Sequence, residues 1–328
     1  MPHPQGFFAA VRPFSYNDMR LHGREKHLPS RSAPPEIEAA PAPDASLPAR
    51  ESWALGSPRN TVIVIVPVLM VLITFLFWYQ TWFGRGLSDQ EMAQDLADTS
   101  VPHKTQHALA QLSARIARGD PTVKRWYPQL LALAQNKESQ LRLEAAWAMG
   151  QDNHSEEFHL ALRKLIDDPV PLVRWNAALA LVRFGDGAAE PQLRSMLQPF
   201  TLGAPEPGTI RFRMKEQDDV RNGSIIARIR AARSDQQQDV LSPVGGTISR
   251  LLTQDGATVA AGDAVAVIDP DEGQVVESLR ALYLVGQPQD LDEVERFARG
   301  APHMSERVRL QAEATARAIR QRSAKGKS

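Results

Sequence analysis

The segment LRLEAAWAMG (141–150) returns 32 residues later as VRWNAALALV (173–182), and LRKLIDD (162–168) returns as LRSMLQP (193–199). Leu141, Ala145, Ala148 and Met149 share one helical face in the first copy, as do Val173, Ala177, Ala180 and Leu181 in the second. Alanine at the packed positions lets neighbouring helices approach closely, and Asp167-Asp168-Pro169 stops one helix and starts the next. One helix pair cannot cover its own apolar face. A period of 31 to 32 residues across 102–200 therefore predicts stacked pairs, an α-solenoid. After a gap of about 70 residues the pattern resumes. ESLRALYLVGQPQDLDEVERFA (277–298) reads as another helix pair, and ERVRLQAEATARAI (306–319) repeats Val-Arg-x-x-Ala through Val308, Arg309 and Ala312.

The gap holds a repeat of a different kind. GTIRFRMKEQDDVRNGSIIARI (208–229) matches GTISRLLTQDGATVAAGDAVAVI (246–268) with one residue inserted, and each copy follows a Pro-x-x-Gly turn, at Pro205–Gly208 and Pro243–Gly246. Alternating apolar residues with frequent glycine turns predict short twisted strands, and two related halves predict a pseudo-two-fold β structure.

The Asp-Pro turn, the Leu/Val-Arg pairs at 141–142 and 173–174 and the Ala-Ala that follows resemble HEAT repeats. The signatures Ala/Ser-Pro-x-x-Gly and Val-x-x-Gly-Ser/Asp of 203–270 resemble the barrel-sandwich hybrid of biotinyl and lipoyl carrier domains and of periplasmic adaptor proteins. That resemblance implies a Lys carrying the cofactor at the hairpin joining the halves, here Arg230 to Asp239, or a long helical hairpin inserted there. The sequence has neither. No Lys occurs from Glu216 to Ala324, and Met214-Lys215, although similar to a biotin-acceptor dipeptide, lies inside the first half. About ten residues are too few for a helical hairpin of useful reach. A docking module without a cofactor is the expectation.

Upstream, residues 1–59 carry ten of the 24 prolines and no apolar periodicity, and read as a disordered tail in which Phe7, Phe8, Phe14 and Tyr16 form a candidate docking motif. Residues 60–84 lack any charge and end in Trp78, Tyr79, Trp82 and Phe83, which predicts a single transmembrane helix with an aromatic belt. Arg50 and Arg59 before this run, with Arg85 and acidic residues after it, predict a cytoplasmic tail and a periplasmic body at an inner membrane. The full expectation is a multi-domain α plus β chain: tail 1–59, membrane helix 60–84, HEAT-like solenoid 85–202, β module 203–270, C-terminal helices 271–322 and tail 323–328.

The 328 residues include 38 basic and 38 acidic side chains and no Cys, which excludes disulfides and thiol chemistry and disfavours a nucleic-acid partner. Phosphate-binding, nucleophile-elbow and dinucleotide motifs are missing. His103 and His107 have metal-compatible spacing but no third ligand in sequence, and no His precedes Glu as in the HEAT-like hydroxylases. The expectation is a non-enzymatic scaffold or assembly subunit of a membrane complex, without catalytic, metal or cofactor residues. Its candidate contact residues are Trp126, Trp147 and Trp175 on the helices and Arg230, Arg233, Gln236, Gln237 and Gln238 near the joining hairpin. A shortened periplasmic adaptor of an export system and a HEAT-like enzyme handling a tetrapyrrole or metal are the alternatives.

Overall fold

The computed structural model describes residues 67–75, 86–231 and 236–325. It corrects the expectation of a transmembrane helix. Among the described residues no helix is long and apolar enough to cross a membrane. Within 60–84 the structure describes residues 67–75, which are helical. The rest of 60–84 lies outside the described residues, as does the 1–59 tail with its aromatic motif. The placement as a single-pass inner-membrane protein with a periplasmic body loses its support with the helix on which it rested.

From Ser88 onward the chain builds five helix pairs, α1 (Asp89–Ala97) with α2 (Pro102–Ala117), α3 (Tyr127–Leu133) with α4 (Ser139–Met149), α5 (Glu156–Leu165) with α6 (Pro171–Arg183), α7 (Glu190–Ser195) with α8 (Glu272–Val285), and α9 (Leu291–Ala298) with α10 (Glu306–Lys325). The second helices form a row in which α2 packs on α4, α4 on α6, α6 on α8 and α8 on α10, with the first helices leaning on it. Helix starts follow local chemistry: Ser88 and Glu91 form a capping box, Ser155 accepts from the Phe158 N–H, and Pro171 occupies a first-turn position where its missing N–H costs nothing. The small-residue faces meet as their composition dictates. Ala145, Ala148, Ala177 and Leu181 are fully buried, and a methyl group added at Gly150 would sit 2.8 Å from the Ala180 Cβ.

Between α7 and α8 the chain leaves the row and forms eight strands: β1 (Phe200–Gly203), β2 (Gly208–Phe212), β3 (Asp219–Val220), β4 (Ile225–Ala231), β5 (Gln237–Leu241), β6 (Gly246–Leu251), β7 (Thr258–Val259) and β8 (Ala264–Asp269). They make two four-stranded sheets, ordered β1-β8-β6-β3 and β5-β4-β2-β7. Exchanging β1 with β5, β2 with β6, β3 with β7 and β4 with β8 turns one order into the other, so the sequence repeat is a two-fold in space. Each half lends a short strand to the other's sheet, β3 to β6 and β7 to β2. The glycines that open the halves show why no other residue serves: a Cβ on Gly208 would stand 2.2 Å from the Arg230 carbonyl oxygen, and one on Gly246 would stand 2.0 Å from that of Asp269, the equivalent position. Ile210, Ile226, Ile229, Ile248 and Val265 are fully buried in the core of the module.

The insertion ends where it began. Phe200 pairs with Ile268 across β1 and β8. The helical row therefore closes over the break: Gln274 Nε2 donates to the Met196 carbonyl at 2.7 Å and Ser278 Oγ to the Leu193 carbonyl at 2.6 Å, both buried. Arg194 pairs with fully buried Asp290 at 2.8 Å and with Glu190, which also accepts from Gln289 Nε2 at 2.8 Å. The solenoid is interrupted in sequence and continuous in space.

Candidate interaction surface

The arginine of each Leu/Val-Arg pair fixes the spacing of the row. Arg142 donates to both carboxylate oxygens of Asp168, at 2.6 and 2.9 Å, and to the carbonyls of Asn136 and Lys137, while Asp168 also caps the Val170 N–H at 2.9 Å. Arg174 repeats the move one unit on, donating to the carbonyls of Asp168 and Pro169 and to Gln192. Each guanidinium thus ties its own turn to the next unit, and Asp168 links the two arginines.

With the units held in register, a stripe of matching positions runs along the row. On α4 it consists of Gln140, Glu144 and Trp147, spaced i, i+4, i+7, all half-buried. The matching positions on α6 are Leu172, Asn176 and Leu179; the first two are only 5% and 4% exposed. Half-buried Glu277, Arg280 and Leu284 continue it on α8. Charge in this stripe is poorly solvated. Burial pushes the Glu144 and Glu277 carboxyls above the usual carboxylate range and lowers the Arg183 guanidinium, with Gln140 and Arg280 opposing the shift at the two acids. A concavity of about 330 Å³ lies between α9 and α10, lined by Ala298 and Ala316, where Glu295 holds Arg299 and Arg320.

The expected contact residues divide by environment. Trp126 is 2% exposed, with the guanidinium carbons of Arg115 and Arg125 at 4.7 and 5.0 Å from its ring centroid. Trp175 is 4% exposed and its indole N–H donates to Ser195 Oγ at 2.9 Å. Both pack inside the helical layer, whereas Trp147 lies in the stripe. Arg230, Gln236, Gln237 and Gln238 are exposed at the open end of the β4–β5 hairpin; Arg233 lies outside the described residues. The stripe's Glu144, Glu277 and Leu179 escaped the sequence reading. Glu144 and Leu179 carried only the signal of position, two residues after Arg142 and five after Arg174, and Glu277 carried none.

Among the described residues no three His, Asp or Glu side chains gather as a metal site. His107 pairs with Gln111 at 3.1 Å, and His159 Nε2 lies 2.7 Å from Asp186, whose carboxyl Arg163 also grips and holds well below its usual range.

The family model for HEAT repeats matches residues 127–199, which contain α3 to α7 and the Asp168 ladder. HEAT repeats generally present surfaces for protein–protein contact. No curated protein sequence matches the chain. Among solved structures, the chain is similar to a single-chain, multi-domain long-chain acyl-CoA carboxylase at 23% identity, over 39% of this chain and 10% of that one, with a TM-score of 0.21. It thus spans about a tenth of that protein's length.

Proposed function

We propose that this chain is a non-catalytic assembly scaffold that holds partner proteins on two surfaces, the stripe along α4, α6 and α8 and the exposed end of the β4–β5 hairpin. The carrying observation is the unbroken helical row. Because Gln274 and Ser278 sew α8 onto α7, the β module projects from a continuous solenoid, and both surfaces stand on rigid elements. A carrier role is disfavoured, since a swinging cofactor needs a Lys amine at the joining hairpin and 216–324 contains none, Lys215 lying inside the first half. An export adaptor is disfavoured by the short connection from Ala231 to Gln237, which leaves no room for a helical hairpin.

The test is quantitative affinity capture with the full chain and two variants, Leu179→Arg in the stripe and Arg230→Glu with Gln237→Glu on the hairpin. A scaffold predicts proteins captured by the unaltered chain and depleted at least fivefold by one variant but not the other. Equal recovery with all three chains would overturn it.

A further inference from the structure

We infer that β5 is an open sheet edge that takes an extended segment of a partner protein as an added strand, which rests on the scaffold reading and names the form of what its hairpin surface holds. The bonds at the two ends of β5 fix which way the edge faces. The Gln236 carbonyl accepts from the Ala231 N–H at 3.2 Å, and Ser242 donates to the Ser224 carbonyl and accepts from the Gly223 N–H, at 2.9 and 2.7 Å. Antiparallel bonds alternate along a strand, so the even-numbered residues of 236–242 face β4, and the N–H and C=O of Gln237, Asp239 and Leu241 face away from it. Among the described residues no strand lies on that side.

The module has four edge strands, and they differ in length. β3 and β7 are two-residue stubs and β1 has four residues, whereas β5 has five. Sheet edges are commonly guarded by shortness, by Lys or Pro, or by an unpaired charge. β5, QQDVL, has no Lys or Pro, and its one charge, Asp239, is held by Arg228 at 2.6 Å. Its side chains define what suits it. Leu241 is 49% exposed and stands across from Ile225, an apolar place for one side chain of the incoming strand. Four residues back, exposed Gln237 lies across from exposed Arg230, so an acidic side chain suits that end. A second copy of β5 fits poorly, because antiparallel self-pairing about Asp239 would set two carboxylates side by side. A partner segment with an apolar residue four positions from an acid meets both ends of the edge.

The probe is a displayed library of random seven-residue peptides panned against the full chain, with the tightest binders resynthesised and each made again with one or the other alternate set of backbone amides N-methylated. Methylating one set should weaken binding about tenfold, the loss of one or two net hydrogen bonds, while methylating the other leaves it unchanged, because a strand pairs through every second amide. Binding should also slow exchange of the Gln237, Asp239 and Leu241 amide hydrogens. Leu241→Pro, which deletes an outward N–H and no bond to β4, should weaken binding as well. Absence of any binder, equal effects of the two methylated sets, or protection confined to other residues would overturn the inference. In the affinity capture, partner proteins lost with Arg230→Glu and Gln237→Glu but kept with Leu241→Pro would leave the scaffold standing and overturn strand addition.

Discussion

Gln217 has φ 72°, a left-handed conformation that costs a side-chain-bearing residue about 1 kcal/mol, and it stands where the second half of the β module has Gly256 at φ 84°. The two turns do the same work: the Gln217 N–H donates to the Ile248 carbonyl and the Gly256 N–H to the Ile210 carbonyl, each at 2.8 Å. Exchanging the residues should therefore have opposite effects. Gln217→Gly should stabilise by about 0.5 kcal/mol, the strain relief being partly offset by the added freedom of the unfolded chain, and Gly256→Gln should cost about 1 kcal/mol; urea midpoints of the two variants check both signs. Asp120 gives a second test at this scale. The Thr122 hydroxyl and N–H, with the Arg115 guanidinium, hold its carboxyl down to about 2. The folded carboxyl binds its proton more weakly than the unfolded one, so this contribution is complete above the unfolded value of about 4 and disappears as pH falls through the folded one. Between pH 4 and 2 the urea midpoint of Asp120→Asn should fall less steeply than that of the unaltered chain.

Helices α4 and α6 are held in register by Arg142 and Asp168, whose side chains are 12% and 5% exposed. Arg142→Ala leaves a buried carboxylate without its partner and should cost about 3 kcal/mol, read from the denaturation midpoint of the helical signal. Arg142→Lys should recover less than half of that, since an ammonium cannot grip both oxygens and both loop carbonyls at once. This interaction also marks the limit of what the sequence disclosed. The Leu/Val-Arg pair and the Asp-Pro turn were visible as signatures, because helix periodicity and turn chemistry are local. That Arg142 reaches across 26 residues to the turn of the next unit was not. Glu144 reads as a solvated charge on an alanine-rich helix, and its burial is a property of the folded protein that the sequence does not display. The β repeat was legible for the opposite reason: its glycines meet hard steric limits that recur in both copies. The apolar run 60–84 reads as a span because hydropathy sums composition alone, whereas among the described residues no helix is long and apolar enough to cross a membrane.

Across the whole molecule, the closeness of Phe200 to Ile268 makes the β module separable. Replacing 200–269 by a short Gly/Ser linker should leave a helical protein with one cooperative thermal transition, followed by circular dichroism at 222 nm. Loss of helicity would make the module part of the solenoid's folding unit. Unfolding the module in place is a different perturbation. While β1 and β8 are paired, α8 returns to α7 across a gap that is already closed; with the strands melted, the Gln274 to Met196 contact must close a loop of 78 residues. The chain-entropy cost of that closure is about 4 kcal/mol, against about 2.5 kcal/mol for the loop of roughly 16 residues left when a linker of about eight replaces the module. The β module is in this sense a clasp: a lesion such as Gly246→Val, which only springs it open, should loosen α8, α9 and α10 more than cutting the module out altogether.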